Sequence, residues 1–226
     1  MMAKNQGDHA KSEARLEKEI YELYNQGHIK AAIKACDEYF KLDEKNPHIY
    51  RVYGMLQYKG ANLDAAIKSL KIAIQLKPDF PDAFYCLGIN YYRKAHFAKA
   101  IESFEKCLEL DPDFSMAHYW LGLSHYHKGS LPEAIREYNR LLEKEPTSII
   151  AHYHLGVAHS SENQFDQAIP HFKKIVESDS DDEAVLFHLG MALIKTGKYS
   201  EAIEVFQSAV DLNPEDKRSK RMLDVM

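Results

Sequence analysis

The apolar positions of this chain recur with two nested periods. Within residues 81–114, Phe84, Leu87, Gly88 and Tyr91 return at helical spacing and define one face of a first helix. Ala100, Ile101, Phe104, Cys107 and Leu108 do the same for a second helix. This helix pair then repeats. Ala-Ile stands at Ala32, Ala66, Ala100, Ala134, Ala168 and Ala202, each 34 residues after the last. A fixed period of this length is the mark of a stacked repeat. Six such units would fill residues 13–216 without an insertion.

Other slots keep the same register. Glycine holds the eighth slot at Gly54, Gly88, Gly122, Gly156 and Gly190. The twenty-fourth holds Leu70, Phe104, Tyr138, Phe172 and Phe206, while glycine at the eighth and alanine at the twentieth remove bulk where two helices must approach closely. Proline follows the second helix at Pro78, Pro112, Pro146 and Pro214. It ends a helix because it lacks an N–H and disfavours helical backbone in the residue before it. Ser130, Pro132 and Glu133 read as a capped helix start. Pro170 falls early in a second helix and should cost a hydrogen bond and bend it slightly.

This combination of slots resembles the tetratricopeptide repeat family over about nine-tenths of the chain. The resemblance implies an all-α fold: antiparallel helix pairs wound into a right-handed α-solenoid superhelix. Its units would be residues 13–46, 47–80, 81–114, 115–148, 149–182 and 183–216. Residues 1–12 show no apolar periodicity and are expected to be flexible, and 217–226 should form a short capping helix. The first unit departs from the pattern, with Glu19, Ile20 and Glu44 where leucine, glycine and proline are usual. The fifth has Ser180 in place of proline, within the acidic stretch Glu177–Glu183, which reads as a solvated turn with carboxylates near a helix N-terminus.

Composition sets limits on function. Net charge is −5, so no basic surface points to nucleic acid. No apolar run approaches a membrane helix and the N-terminus has no signal-peptide core. Cys36, Cys86 and Cys107 form no close pair, which suits a reducing, cytoplasmic setting and no structural zinc. There is no zinc-protease histidine motif, phosphate loop or nucleophile elbow, so neither catalysis nor a cofactor is expected.

The family resemblance implies a concave groove lined by slots two, five, six, nine, twelve and thirteen of each first helix. Slots five and six here carry Arg51, Tyr85, Tyr119, Trp120, Tyr153, His154, Phe187 and His188. Slots twelve and thirteen carry Tyr92, Arg93, Tyr126 and His127. Aromatic residues with a polar tip are frequent binding hot spots, so an extended peptide or amphipathic helix of a partner protein is the expected ligand. The carboxylate clamp by which some relatives hold chaperone C-termini is not matched: slot nine has no Asn and, beyond the first repeat, slot two has no Lys. Self-assembly into homo-oligomers, and a role as the targeting portion of a larger enzyme, stand as alternatives.

Histidines are the remaining anomaly. His118 and His125 lie seven residues apart on one helix, as do His152 and His159. Seven residues is ~10.5 Å of rise, too far for two ligands of one metal within a helix. These rings are expected to be packed and hydrogen-bonded.

Overall fold

The computed structural model describes residues 2–178 and 182–226, and side chains from Ala10 onward. Ser180 lies outside the described residues. The chain divides into two compact units, residues 1–120 and 121–226. Among the described residues the structure is entirely helical, with no strand. None of these helices is long and apolar enough to cross a membrane.

The helices come in pairs. They are α1 (Met2–Asn25) with α2 (Ile29–Tyr39), α3 (Pro47–Lys59) with α4 (Leu63–Leu76), and α5 (Pro81–Arg93) with α6 (Phe97–Leu110). Next come α7 (Ser115–Lys128) with α8 (Leu131–Lys144), α9 (Ile149–Ser161) with α10 (Phe165–Val176), and α11 (Glu183–Lys195) with α12 (Tyr199–Leu212). A last helix, α13, spans Lys217–Asp224. In the first unit α2 packs on α3 and α4 on α5; in the second, α8 packs on α9, α10 on α11 and α12 on α13. Within each unit, neighbouring pairs thus bury apolar faces on one another, as a stacked repeat must.

Helix pairs interlock where glycine meets an aromatic ring. A Cβ added at Gly88 would sit 2.5 Å from Phe104 Cε1, and one at Gly156 would sit 2.6 Å from Phe172 Cε1. Only glycine leaves room for these rings, which are fully buried. The first pair solves the same problem with the sizes exchanged. Ile20 replaces the glycine, and the facing slot holds the small Cys36; both are fully buried in one core cluster. Volume is conserved across the contact although both residues depart from the pattern.

Proline sets the ends of the second helices. α4, α6, α8 and α12 all run 14 residues and stop two residues before Pro78, Pro112, Pro146 or Pro214. The residue before proline is pushed out of the helical region, as at Lys77 and Asp111, each with φ −139° and ψ 92°. Where the proline is missing, the helix stops earlier and unwinds through a residue that stays helical. α2 has 11 residues with Phe40 as its C-cap (φ −65°, ψ −14°), and α10 has 12 with Glu177 as its C-cap (φ −63°, ψ −19°). Pro170 lies inside α10 and gives no N–H to the Asp166 carbonyl.

One local expectation changes, at Ser130, while α1 starts ahead of the repeat register, at Met2. Residues 1–12 contain Ala3, Lys4, Gln6, Ala10 and Lys11, good helix formers that extend a helix already nucleated further on. Ser130 makes no side-chain cap bond. The backbone of its turn is set instead by a repeated feature. Residues Gly27, Ala61, Ala95, Gly129, Asn163 and Gly197, each 34 after the last, all have positive φ. Around Gly129, the Gly129 N–H bonds the Tyr126 carbonyl at 3.0 Å and the Ser130 N–H bonds the His125 carbonyl at 2.9 Å. This is a Schellman motif, which satisfies the last carbonyls of the first helix. Ser130 is therefore the last residue of that motif and the N-cap of α8 at once. Asn62, in the same slot with ψ 75°, does accept from the Ala65 N–H at 3.2 Å through its longer side chain. At ψ 69° the shorter Ser130 side chain makes no such bond, while the turn itself does not forbid a cap.

Candidate protein-binding face

The expected binding residues lie on first helices, at positions left over when the core stripe is taken away. In the first unit these are Arg51 on α3, Tyr85, Tyr92 and Arg93 on α5, and Tyr119 and Trp120 on α7. All are half-buried except Arg93, which is exposed. The aromatic members touch one another. The Trp120 Nε1–H donates to the Tyr85 hydroxyl at 3.1 Å. Trp120 also meets Tyr92 and Tyr119 edge to face, with ring centres 5.2 and 5.3 Å apart. Burial raises the phenol pKa of Tyr85, Tyr92 and Tyr119, so all three hydroxyls stay neutral near neutral pH.

Cations alternate with these rings. Lys59 Nζ lies 4.3 Å from the Tyr24 ring centre, and the Arg93 guanidinium 6.0 Å from that of Tyr58. A slot-thirteen cation thus covers the slot-twelve tyrosine one repeat earlier, a relation that spacing alone does not reveal. The Arg51 guanidinium lies 5.9 Å from the Phe80 ring centre, and its Nε is buried without a hydrogen-bond partner among the described residues. Burial pushes the neighbouring Cys86 thiol up to about 11, against the opposing pull of the Arg51 charge.

In the second unit the expected residues are Tyr126, His127, Tyr153, His154, Phe187 and His188. Tyr126 and Ser161 share a hydroxyl–hydroxyl bond of 3.3 Å. His154 stacks on Tyr138 (5.3 Å, 23°) and His188 stacks on Phe172 (5.7 Å, 11°). Each imidazole lies flat on the buried ring that fills the preceding pair. Burial, then the charge of His127, holds His154 down to about 4, and burial also lowers His188. Phe187 is partly claimed from within: the Arg218 guanidinium of α13 lies 4.9 Å from its ring centre and pairs with Glu183 at 2.7 Å. An apolar recess of about 320 Å³ opens beside Tyr153, lined by Ile149, Ile150, Asp182 and Val185.

The remaining described histidines range from buried to exposed. His118 and His159 are buried, and His159 Nδ1 lies 2.8 Å from Gln164 Oε1. His152 and His159 are joined by His171 of α10, a residue the sequence pattern did not single out. His152 Nδ1 lies 3.0 Å from His171 Nδ1, and the His159 and His171 rings are parallel within 7° at 5.7 Å. Burial, with the two neighbouring imidazoles, pushes His171 down to about 4. Among the described residues, no three or more His, Cys, Asp or Glu side chains converge as a metal cluster.

Comparison with known proteins agrees with this architecture. No curated relative matches the chain. Among solved structures, YrrB, described as a TPR protein with an unusual peptide-binding site, superposes with a TM-score of 0.74 at 19% identity, covering 85% of this chain and 99% of its own. MamA superposes at 0.70 with 25% identity, covering 77% and 94%. PilF of Pseudomonas aeruginosa superposes at 0.79 with 10% identity, covering 97% and 100%. The TPR repeat family matches residues 54–94. The family of the tetratricopeptide repeat protein 21 N-terminal ARM repeat matches residues 89–224, more than half of the chain. With its 34-residue register, its interlocked glycine–aromatic pairs and these matches together, the chain belongs to the tetratricopeptide repeat family.

Proposed function

We propose that the chain is a non-catalytic scaffold whose first-helix faces hold an extended peptide or an amphipathic helix of a partner protein. The observation that carries this reading is the aromatic network Tyr85–Tyr92–Tyr119–Trp120 in the first unit. These four side chains are not needed to fill the glycine–aromatic core, they remain partly exposed, and they hold one another by edge contacts and one hydrogen bond. Rings fixed in this way lose little entropy on binding, and such residues dominate interface energetics. In the second unit, Tyr153 beside the apolar recess offers a place for one large apolar side chain of the ligand. YrrB supplies a family precedent for peptide binding. Three buried, free thiols fit a reducing cytoplasm.

The test is direct. Peptides selected against the whole protein from a random display library are labelled and titrated by fluorescence anisotropy. Tyr119→Ala should weaken binding at least ~10-fold, a hot-spot loss. Tyr199→Ala, on the exposed side of α12, should leave it unchanged. Equal affinities for Tyr119→Ala and wild type across the selected peptides would overturn the assignment of this face.

A further inference from the structure

The three histidines His152, His159 and His171 have no part in the face just described, and their geometry is specific. The Nδ1 atoms of His152 and His171 lie 3.0 Å apart, within hydrogen-bond distance of each other. A divalent transition metal binds imidazole nitrogen at about 2.0–2.1 Å. Two such bonds meeting at a right angle or a tetrahedral angle place the nitrogens roughly 2.9–3.4 Å apart, as those bond lengths require. The pair already stands at that separation.

We infer that His152 and His171 form a bidentate site for a single divalent metal of the imidazole-preferring group, nickel, copper or zinc. Four further features support it. His152 Nε2 lies 3.4 Å from the Pro146 carbonyl oxygen. That contact favours the tautomer with the proton on Nε2 and leaves the Nδ1 lone pair free, which is the outer-shell arrangement of metal-bound histidines. The His159 ring lies parallel to His171 and fixes its plane, while His159 is itself held by Gln164. His159 therefore orients the site and does not ligate. His152 also borders a cavity of about 290 Å³ lined by Thr147, Lys174 and Glu177, among others, which gives water access to the His152 side of the pair. Finally, imidazole donors suit these metals, whereas magnesium and calcium need oxygen ligands.

The proton balance closes. Without metal, one Nδ1–H bridges the two rings; with His152 in the tautomer above, His171 carries it. On binding, His171 moves its proton to Nε2 and presents the Nδ1 lone pair, so two neutral imidazoles bind the ion and no net proton is released. Lys174 and Glu177, which border the cavity beside His152, lie 3.7 Å apart and offset one another.

The experiment titrates the whole chain with NiCl2, CuCl2 or ZnCl2, one at a time, by calorimetry at pH 7.5. One saturable site per chain is expected for at least one of these ions. His152→Gln and His171→Gln should each weaken that site at least tenfold, while His28→Gln, on an exposed turn of the first unit, should not. Circular dichroism melts in chelator establish that each variant is folded. The half-buried His152→Gln keeps the test available where His171→Gln disturbs packing. Absence of a saturable site for all three ions, or a site that survives in folded His152→Gln, overturns the inference.

Discussion

Trp120 and Tyr85 are 35 residues apart and joined by an indole-to-hydroxyl hydrogen bond of 3.1 Å. Each stands on a different first helix of the first unit, so the bond ties neighbouring pairs on the face that carries the proposed ligand. Trp120 is also the only tryptophan, which makes its emission a report on this one contact. Tyr85→Phe removes the acceptor and keeps the ring. Stability should fall by ~0.5–1.5 kcal/mol, the usual net worth of such a bond. Tryptophan emission should shift, and urea denaturation followed by circular dichroism gives the energy. An unchanged emission and midpoint would mean that the bond carries no weight.

Gly88→Ala tests the interlock with Phe104. A helix interior favours alanine over glycine by about 1 kcal/mol. Overpacking costs ~1–3 kcal/mol, and the added Cβ would fall 2.5 Å from a fully buried ring. The net change should be a loss of roughly 0–2 kcal/mol by those two magnitudes, towards the upper end because the ring cannot move away into solvent. Gly60→Ala, where a Cβ meets nothing closer than 3.5 Å, serves as the comparison and should not destabilise by overpacking. Thermal or urea melts of both variants decide it.

The turn residues with positive φ carry an opposite prediction. Ala95 has φ 56° and Ala61 has φ 60°, in the left-handed region that costs an L-residue about 1–2 kcal/mol. Glycine has no such cost there but loses more freedom on folding. Ala95→Gly should therefore leave the midpoint unchanged or raise stability by up to ~1 kcal/mol, as those opposed terms imply. A clear loss would show that the Ala95 side chain makes contacts that outweigh its backbone strain.

Acid should weaken the second unit. His154 is held at about 4 and His188 below its ordinary value, both first of all by burial, whereas an unfolded histidine titrates near 6.5. A depressed folded pKa means that the neutral ring is favoured by the fold. Its contribution is complete above pH 6.5 and is lost as pH falls from 6.5 towards 4. Melting in chelator should show a lower midpoint at pH 5 than at pH 7.5. His154→Phe, which keeps a flat ring on Tyr138, should reduce that difference. Equal midpoints at the two pH values for the wild type would contradict the depressed values.

Much of this was legible in one dimension because the constraint is local and periodic. Gly88 and Phe104 sit in one pair and keep their spacing in later pairs, so the interlock can be read from two columns of the register. Pro78 and Pro112 act on the residue before them, so the ends of α4 and α6 follow directly. The turn glycines were less visible. The positive-φ slot holds Gly, Ala, Ala, Gly, Asn and Gly, and two alanines hide a backbone requirement that the Schellman hydrogen bonds impose. Ser130 has the identity of a side-chain cap, yet of Ser130 and Asn62, in the same slot, only Asn62 makes the bond.

By itself, then, the order of residues determined the helix pair, its period and the core, because burial of an apolar stripe at helical spacing depends only on which residue follows which. The partners across helices were decided in three dimensions. Trp120 meets Tyr85, Lys59 covers Tyr24, and His171 meets His152 over separations of 35, 35 and 19 residues. Such meetings depend on the rotation and rise of one packed helix against another, which is set by the side chains between them. That is why the candidate face was readable as a set of residues, while the hydrogen bond within it and the histidine pair beside it were not.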